Sequence, residues 1–378
     1  MNVFDGRPEK YSPSVESAIS RAMETTRAWR AGQMGEDALK EIEQDARAAM
    51  RLAFDLPPQS RIIFTSGVEE ARNTAIKGLA WGADAGRNEI VTVAGDPAGF
   101  EESALWCGRF GFKSLQLIPG KVGEIAFPLL DRLISAKTAV VALLSATPEI
   151  YRWRIPEIRK LSVSCEARGA ELALDLSLEV LAKKALYDGS KITLMCDGAA
   201  LSGPVGAAFV ALRPGARFGP LVSGGADQDG LRGGRLNPSL VAGLGAAATE
   251  YAERAPDYFA HLTTLRETAL EELHKQIPSA RLAHGEAPLP VGITFIVPGV
   301  EGEAVVMMAE REGINVDSGS ECLRRTGKVS PVLTAAGFTA EDAAGSVQMF
   351  FRAGQTIGDV KRAIETIGKS VGKLKGMG

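Results

Sequence analysis

The strongest constraint on the fold is the alternation of short apolar runs with helical stretches through the first two thirds of the chain. Residues 138–144 form a continuous apolar run, which is typical of a strand covered on both faces. Similar runs, typical of strands, occur at 61–64, 89–93, 114–118 and 170–176. This alternation predicts an α/β fold with a doubly wound, mostly parallel sheet and helices on both sides.

The pattern changes after about residue 238, where a long helical region begins and continues to about residue 276. We therefore predict a large α/β domain over residues 15–250 and a smaller C-terminal α+β domain over residues 251–378, which residues 1–14 could join. The last helix of the smaller domain carries an apolar stripe at three- and four-residue spacing, formed by Val360, Ile364, Ile367, Val371 and Leu374.

The composition argues against several classes of function. A net charge of -3 in 378 residues gives no electrostatic basis for binding nucleic acid or an anionic membrane. No apolar run approaches membrane-spanning length and no signal peptide is recognised, so we expect a cytoplasmic protein. The three histidines are not clustered, which argues against a zinc or iron site. The four cysteines form no C-x-x-C pair and are expected to be reduced; they are Cys107, Cys165, Cys196 and Cys322.

A turn rich in glycine and proline, residues 198–206, separates two apolar runs typical of buried strands. Such a turn brings backbone close to whatever occupies a neighbouring pocket. It resembles the cofactor-lysine loop of the cysteine desulfurases, the NifS- and IscS-like members of the class V aminotransferases. Their loop reads Ser-Gly-His-Lys, two residues, then Gly-Pro-x-Gly. With Gly198 and Gly203 aligned, the histidine falls on Ala199 and the lysine on Ala200. The resemblance implies that a methyl group replaces the lysine that would hold pyridoxal phosphate (PLP) as a Schiff base.

Five further segments resemble the family in the same order. Residues 65–78 resemble Thr-Ser-Gly-Ala-Thr-Glu-Ser-Asn-Asn-x-Ala-Ile-Lys-Gly, and Asp175 matches the aspartate that pairs with the cofactor's ring nitrogen. Residues 224–235 resemble the glycine-rich stretch after the lysine loop, 318–322 resemble Gly-Ser-x-Cys, and 330–337 match the segment after it. The resemblance implies a type I PLP-dependent transferase fold, like that of aspartate aminotransferase, and PLP as the family's cofactor.

The phosphate of that cofactor would lie at Thr65, Ser66 and Gly67, where a helix follows a strand and free amides can hold an anion. The Ser66-x-x-Glu69 spacing predicts a capping box, in which the helix start satisfies its own amides. Glu69 also falls on a threonine that helps to bind phosphate in the family. Two like charges a few ångströms apart repel by about 1 to 4 kcal/mol, so Glu69 is expected to weaken phosphate binding.

Four other cofactor contacts of the family are replaced. Asp96 falls at a histidine that stacks on the pyridine ring. Pro148 falls at an asparagine, and Leu178 at a glutamine, that bond the cofactor's phenolic oxygen. Arg235 falls at a threonine that reaches the phosphate of the neighbouring subunit. Of these changes, only Arg235 could favour a phosphate.

The resemblance assigns Cys322 to the family's cysteine that takes sulfur as a persulfide. Arg324 and Arg325 follow it and would favour its thiolate. The arginine that binds the substrate carboxylate would fall on Arg352 or Ala353. The remaining cysteines lie in helix or strand patterns and are predicted to be core residues; they are Cys107, Cys165 and Cys196.

No other lysine is well placed to replace one at Ala200. Lys183 and Lys184 belong to a polar stretch and are expected to be solvated. Lys191 lies before the strand that leads to Ala200, about nine residues away, so it is expected at the opposite end of the sheet. The role of Asp175 stays open, because an aspartate at a strand end could hold a pyridinium or cap the following turn.

Two functions are consistent with these residues. In the first, the chain is a non-catalytic desulfurase homologue that serves sulfur transfer or iron–sulfur cluster assembly. It would form a homodimer, or a heterodimer with an active desulfurase paralogue. An iron–sulfur scaffold or a sulfur-acceptor protein is a further expected binding partner. In the second, it is an active cysteine desulfurase that converts cysteine to alanine and leaves a persulfide on Cys322. The joint loss of the lysine and the other cofactor contacts favours the first.

Overall fold

The computed structural model describes residues 2–5, 10–178, 191–285, 288–318 and 330–376. Its strands are β1 (Asn2–Val3), β2 (Arg61–Thr65), β3 (Glu89–Val93), β4 (Lys113–Leu117), β5 (Thr138–Leu144), β6 (Ala146–Thr147), β7 (Arg152–Trp153), β8 (Glu171–Asp175), β9 (Thr193–Asp197), β10 (Ala208–Leu212), β11 (Arg281–Leu282), β12 (Gly292–Ile296), β13 (Ile314–Asn315) and β14 (Ser346–Phe350). Its α-helices are α1 (Pro13–Arg30), α2 (Asp37–Ala53), α3 (Val68–Gly82), α4 (Ala98–Cys107), α5 (Phe127–Leu133), α6 (Ile155–Arg168), α7 (Pro238–Gln276), α8 (Gly302–Arg311), α9 (Pro331–Ala335), α10 (Ala340–Ala344) and α11 (Ile357–Lys375).

The central sheet has seven strands in the order β2-β10-β9-β8-β5-β3-β4. β10 is antiparallel to both of its neighbours, and the other pairs are parallel. The side chains of successive residues in β2 point to opposite faces of the sheet and therefore pack into different cores. Phe64 belongs to the core that contains Met50 of α2, whereas Ile63 belongs to the core that contains Ile76 of α3. The predicted doubly wound, mostly parallel sheet is therefore confirmed.

A smaller antiparallel sheet, β11-β12-β14, forms the C-terminal part together with α8 and α11. The apolar stripe of α11 packs into this second core, as its spacing predicts. Its buried members are Val360, Ile364, Ile367 and Val371, with Leu374 partly buried beside them.

α7 connects the two cores. Its apolar residues from Val241 to Ala255 pack into the core of the large sheet, and those from Leu262 to Leu273 pack into the smaller core. The change falls near Pro256, so the predicted domain boundary at residue 250 lies inside this helix. At the other terminus, β1 pairs with β13 in the smaller part. In the described part of the chain, no helix is both long enough and apolar enough to cross a membrane.

The carboxyl edge of the large sheet collects the polar residues that the motifs single out. Thr65, Asp175 and Asp197 are the last residues of β2, β8 and β9, and these three strands run in the same direction. α3 begins three residues after β2. Ligands of open α/β sheets bind at this edge, so the candidate site lies there.

Candidate functional site

Asp175 lies at the centre of this edge and is completely buried. Its Oδ2 accepts a hydrogen bond from Nε of Arg72 at 2.8 Å, and Nη2 of the same guanidinium lies 2.8 Å from Oδ2 in the ion pair. Its Oδ1 accepts from the backbone N–H of Ser177 at 2.8 Å and from the Ser177 hydroxyl at 2.5 Å. Asp175 thus caps the turn after β8 and forms a buried ion pair with α3.

Arg72 is as tightly held as its partner. It lies in the second turn of α3, where its third guanidinium nitrogen, Nη1, pairs with Glu69. The guanidinium also lies over the ring of Phe100, 5.4 Å from its centroid. Burial alone would lower the pKa of Arg72, but the carboxylates of Asp175 and Glu69 outweigh it and raise that pKa. The arginine therefore remains a cation inside the site.

The start of α3 differs from the predicted capping box. Ser66 donates its backbone N–H, at 2.8 Å, and its hydroxyl to Glu70, not to Glu69. The reason is that Gly67, with φ of 148°, is the residue before the first helical turn, which makes Glu70 the third helical residue. Burial would raise the pKa of Glu70, but hydrogen bonds from Arg232 and Ser66 lower it overall. Thr65, the third predicted phosphate residue besides Ser66 and Gly67, donates its hydroxyl to the Gly67 carbonyl at 3.1 Å.

Asp96 is fully buried against a second arginine. Nη1 of Arg154 lies 2.9 and 3.1 Å from its two carboxylate oxygens, and both side chains are completely buried. The backbone N–H of Leu144 also donates to Asp96, at 2.9 Å. Burial raises the pKa of Asp96, although Arg154 opposes that rise. The negative charge of Asp96 is therefore balanced by Arg154 beside it.

Ala199 and Ala200 lie in a single 3₁₀ turn, residues 198–201, that follows β9. They line a cavity of about 370 Å³ between the two parts of the chain. The lining contains Arg352 and Leu178 but no lysine from the part of the chain that is described. The remaining lining residues are Asp5, Ser177, Asp197, Val291, Asp317, Phe350 and Phe351.

The cavity is acidic beside Ala200. Asp197 accepts the N–H of Ala199 at 3.3 Å. Burial raises the pKa of the Asp197 carboxyl, and the nearby charge of Asp175 adds to that rise. Asp5 and Asp317 line the same cavity, together with the cation Arg352.

The other predicted residues are placed as follows. Arg235 is half-exposed, pairs with Glu36 at 2.6 Å and lies over the ring of Trp29. Pro148 is half-buried in the turn after β6. Lys191 is exposed and pairs with Glu166 at 2.8 Å. The predictions for Lys183, Lys184, Cys322, Arg324 and Arg325 lie outside the described residues.

The three other cysteines are buried and have no disulfide partner. Burial raises the pKa of each thiol, to about 12 for Cys165 and well above the usual range for Cys196. Buried thiols of this kind are inert. In the described part of the chain, no three histidine, cysteine, aspartate or glutamate side chains are grouped as metal ligands.

Sequence reasoning missed both arginines that neutralise the site. A signal for Arg72 was present, because it falls on the first of the two asparagines in the family's Thr-Ser-Gly segment. Arg154 had no such signal, since its partner Asp96 lies 58 residues away in the chain.

Glu149 lies in the turn after β6, and its pKa is well above the usual value for a glutamate. Its Oε2 accepts a hydrogen bond from Ser330 at 2.6 Å. Burial raises its pKa to about 7, with a further contribution from the charge of Asp317. A raised pKa means that the folded state favours the neutral acid, so the stability that this preference gives is lost as the pH rises towards 7.

Replacing Glu149 by glutamine is therefore expected to raise the free energy of unfolding at pH 8 by about 1 to 3 kcal/mol, because one pKa unit corresponds to about 1.4 kcal/mol. Near pH 5, where the acid is mostly neutral in the folded chain, the change should be small. Urea unfolding at the two pH values measures the difference. Glu365→Gln, at an exposed helix position, serves as the control. An equal effect of Glu149→Gln at both pH values would contradict the assignment.

The architecture and the position of the site define the class of protein. The chain has the fold of type I PLP-dependent enzymes, in which the cofactor site lies between a large α/β domain and a smaller C-terminal one. The family model for the class V aminotransferases matches residues 16–360, and the chain belongs to that family.

Its relatives include cysteine desulfurases. Cysteine desulfurase IscS 1 of Archaeoglobus fulgidus is 28% identical over 323 residues, which cover 84% of this chain and 82% of the relative. Cysteine desulfurase IscS of Rickettsia akari is 27% identical over 356 residues, covering 92% and 84% of the two chains. The solved structure of a NifS-like protein from Rickettsia africae superposes with a TM-score of 0.82 at 19% identity, covering 98% of this chain and 99% of that one. The chain is thus cysteine desulfurase-like in sequence and fold.

The residues of the site do not match the family's cofactor. A methyl group stands where the resemblance places the family's lysine. The two oxygens of Asp175 accept three hydrogen bonds from Arg72 and Ser177, and Nη2 of Arg72 also lies 2.8 Å from Oδ2. A pyridinium N–H would have to compete with Arg72 for Oδ2. Asp96 also has no aromatic face to stack on a ring.

Proposed function

We propose that this chain is a non-catalytic member of the cysteine desulfurase group that serves sulfur transfer or iron–sulfur cluster assembly. The observation that carries the proposal is the methyl group of Ala200 in the cavity lining, at the position where the resemblance places the family's lysine. The relatives' names indicate sulfur mobilisation as the biological setting. Reduced, buried cysteines are consistent with a cytoplasmic protein.

The proposed role is that of a subunit that receives sulfur from another protein. It pairs with a second copy or with an active desulfurase of the same family, and Cys322 accepts the sulfur. In the transfer, the Cys322 thiolate attacks the outer sulfur of the donor's protonated persulfide (S–SH), the donor's S–S bond breaks, and the donor cysteine leaves as a thiolate. The sulfur atom, with its proton, changes carrier without an added oxidant or reductant. A scaffold or another acceptor would take the sulfur next.

The purified wild-type chain, incubated with PLP and cysteine, is expected to form no alanine and no covalent PLP adduct. The reason is that a Schiff base between PLP and the protein at this site needs a lysine amine there. Alanine is measured by chromatography, and a borohydride-trapped adduct by intact mass, with an active desulfurase as the positive control. Release of alanine above the rate of free PLP, or a PLP adduct on a lysine of the cavity, would support the active-desulfurase alternative and refute the proposal.

A further inference from the structure

We propose that Arg72 takes the place of the cofactor's ring cation, so that the site excludes PLP even when a lysine is restored. This goes beyond the proposed function, which rests on Ala200, and adds a second determinant that acts without any covalent bond. The inference comes from what Asp175 contacts in the folded chain.

Arg72 and Ser177 cover the two carboxylate oxygens of Asp175. Arg72 covers Oδ2, to which Nε donates at 2.8 Å while Nη2 lies at the same distance in the ion pair. Ser177 donates to Oδ1 through its backbone N–H and its hydroxyl. Ser177 is the local turn partner of Asp175, two residues along the chain, and such a contact forms wherever β8 ends in this way. Arg72 comes from 103 residues away. A ring N–H could bond Asp175 only if the guanidinium moved off.

Arg72 is buried and held in place by its neighbours. Its exposed fraction is 6%, and Glu69 and the Phe100 ring hold it on two other sides. Gly99 belongs to this arrangement, because a Cβ there would overlap Glu69 Oε2 and lie 3.2 Å from Cδ of Arg72. Removing a buried guanidinium from its carboxylate leaves two unpaired charges in a low-dielectric site, which is strongly unfavourable.

Some residues near the start of α3 match the family segment, and others depart from it. At the phosphate end, the contact of Ser66 with Glu70 does not distinguish this chain, because the family segment also has glutamate at that position. Glu69 and Arg72 do distinguish it, since they fall on a threonine and an asparagine of the family. These two departures are paired with each other in the structure, so they form one unit.

The experiment removes that unit stepwise and measures the affinity for pyridoxine 5′-phosphate, which lacks the aldehyde and cannot form a Schiff base. Glu69→Thr removes the charge expected to repel phosphate and leaves Arg72 on Asp175. Because Arg72 still covers Asp175, we expect calorimetry to show only a small gain in affinity over the wild type, smaller than the gain from the added Arg72 substitution. The double variant Glu69→Thr/Arg72→Asn should bind at least about tenfold more tightly than Glu69→Thr, as expected for one hydrogen bond to a charged group.

Two controls keep the comparison sharp. Arg213→Asn in the Glu69→Thr background removes another arginine that pairs with a carboxylate, Glu171, and should leave the affinity unchanged. If Arg72→Asn does not fold, Arg72→Gln keeps one donor for Asp175 and frees one acceptor position. Equal affinity of the Arg72 variants and their Glu69→Thr parent, or tight binding by the wild type, would overturn the inference.

A second readout uses PLP itself. Ala200→Lys alone is expected to give little borohydride-trapped adduct by intact mass, whereas Ala200→Lys/Glu69→Thr/Arg72→Asn should give a clear one. Full labelling of the single variant would show that Arg72 does not exclude the cofactor. Alanine formation by the wild type would refute the proposed function, while the affinity comparison tests Arg72 separately.

Discussion

Arg154→Met is expected to lower the free energy of unfolding by about 3 to 5 kcal/mol, the cost of removing one partner from a buried ion pair. Arg154 and Asp96 are both completely buried, so water cannot replace the lost contact. Without the arginine, burial would raise the pKa of Asp96 further, and its ionised form would be the unfavourable one. The loss should therefore be larger at pH 8 than at pH 5, because the raised pKa penalises the folded state as the pH rises.

Urea unfolding of the intact chain at both pH values measures this effect. Arg154→Met/Asp96→Asn should recover a large part of the loss, since asparagine carries no charge and keeps an oxygen for the Leu144 N–H. Arg217→Met removes an arginine from an exposed pair, for which less than about 1 kcal/mol is expected. A cost for Arg154→Met as small as that of Arg217→Met would show that removing Arg154 does not leave Asp96 as an unpaired buried charge.

Persulfide labelling confined to Cys322 is the second large effect that we expect. When the chain is incubated with an active cysteine desulfurase and cysteine, a persulfide-selective alkylating reagent should modify Cys322, and Cys322→Ala should abolish the signal. The physical reason is thiolate content, because only the thiolate attacks a persulfide. Two arginines follow Cys322 closely in sequence.

The remaining cysteines provide internal controls for that experiment. Burial raises the pKa of Cys165 to about 12 and also raises that of Cys107 and Cys196, so these thiols are expected to stay unlabelled in the native chain. Peptide mapping by mass spectrometry identifies the modified residue. Labelling that persists in Cys322→Ala, or that falls mainly on a buried cysteine, would contradict a carrier role for Cys322.

The carboxylates at the candidate site are neutralised by arginines of the same chain. Arg72 pairs with Asp175, and Arg154 pairs with Asp96. Buried ion pairs contribute little net stability, because desolvation offsets their attraction, but removing one member is costly. The charge of these carboxylates is therefore balanced by side chains of the chain itself, without a ligand. This agrees with the proposal of a non-catalytic subunit.

The fold was largely predictable from the sequence, because it depends on patterns that are local. The apolar run at Thr138–Leu144 is a strand buried along its whole length, and the stripe of α11 faces the smaller core. The capping box was misassigned for an equally local reason. The spacing of Ser66 and Glu69 fits the motif, but the left-handed backbone at Gly67 shifts the helix start by one residue.

By itself, the sequence determined that the chain forms a doubly wound α/β fold, because the alternation of apolar runs and helical stretches follows from local residue order. The resemblance alone places the family's lysine at Ala200. Only the tertiary structure decided which side chains fill the emptied site. Arg72 reaches Asp175 across 103 residues and Arg154 reaches Asp96 across 58, because the sheet brings the ends of distant strands together. An ion pair of that kind depends on distances in space that no spacing along the chain encodes.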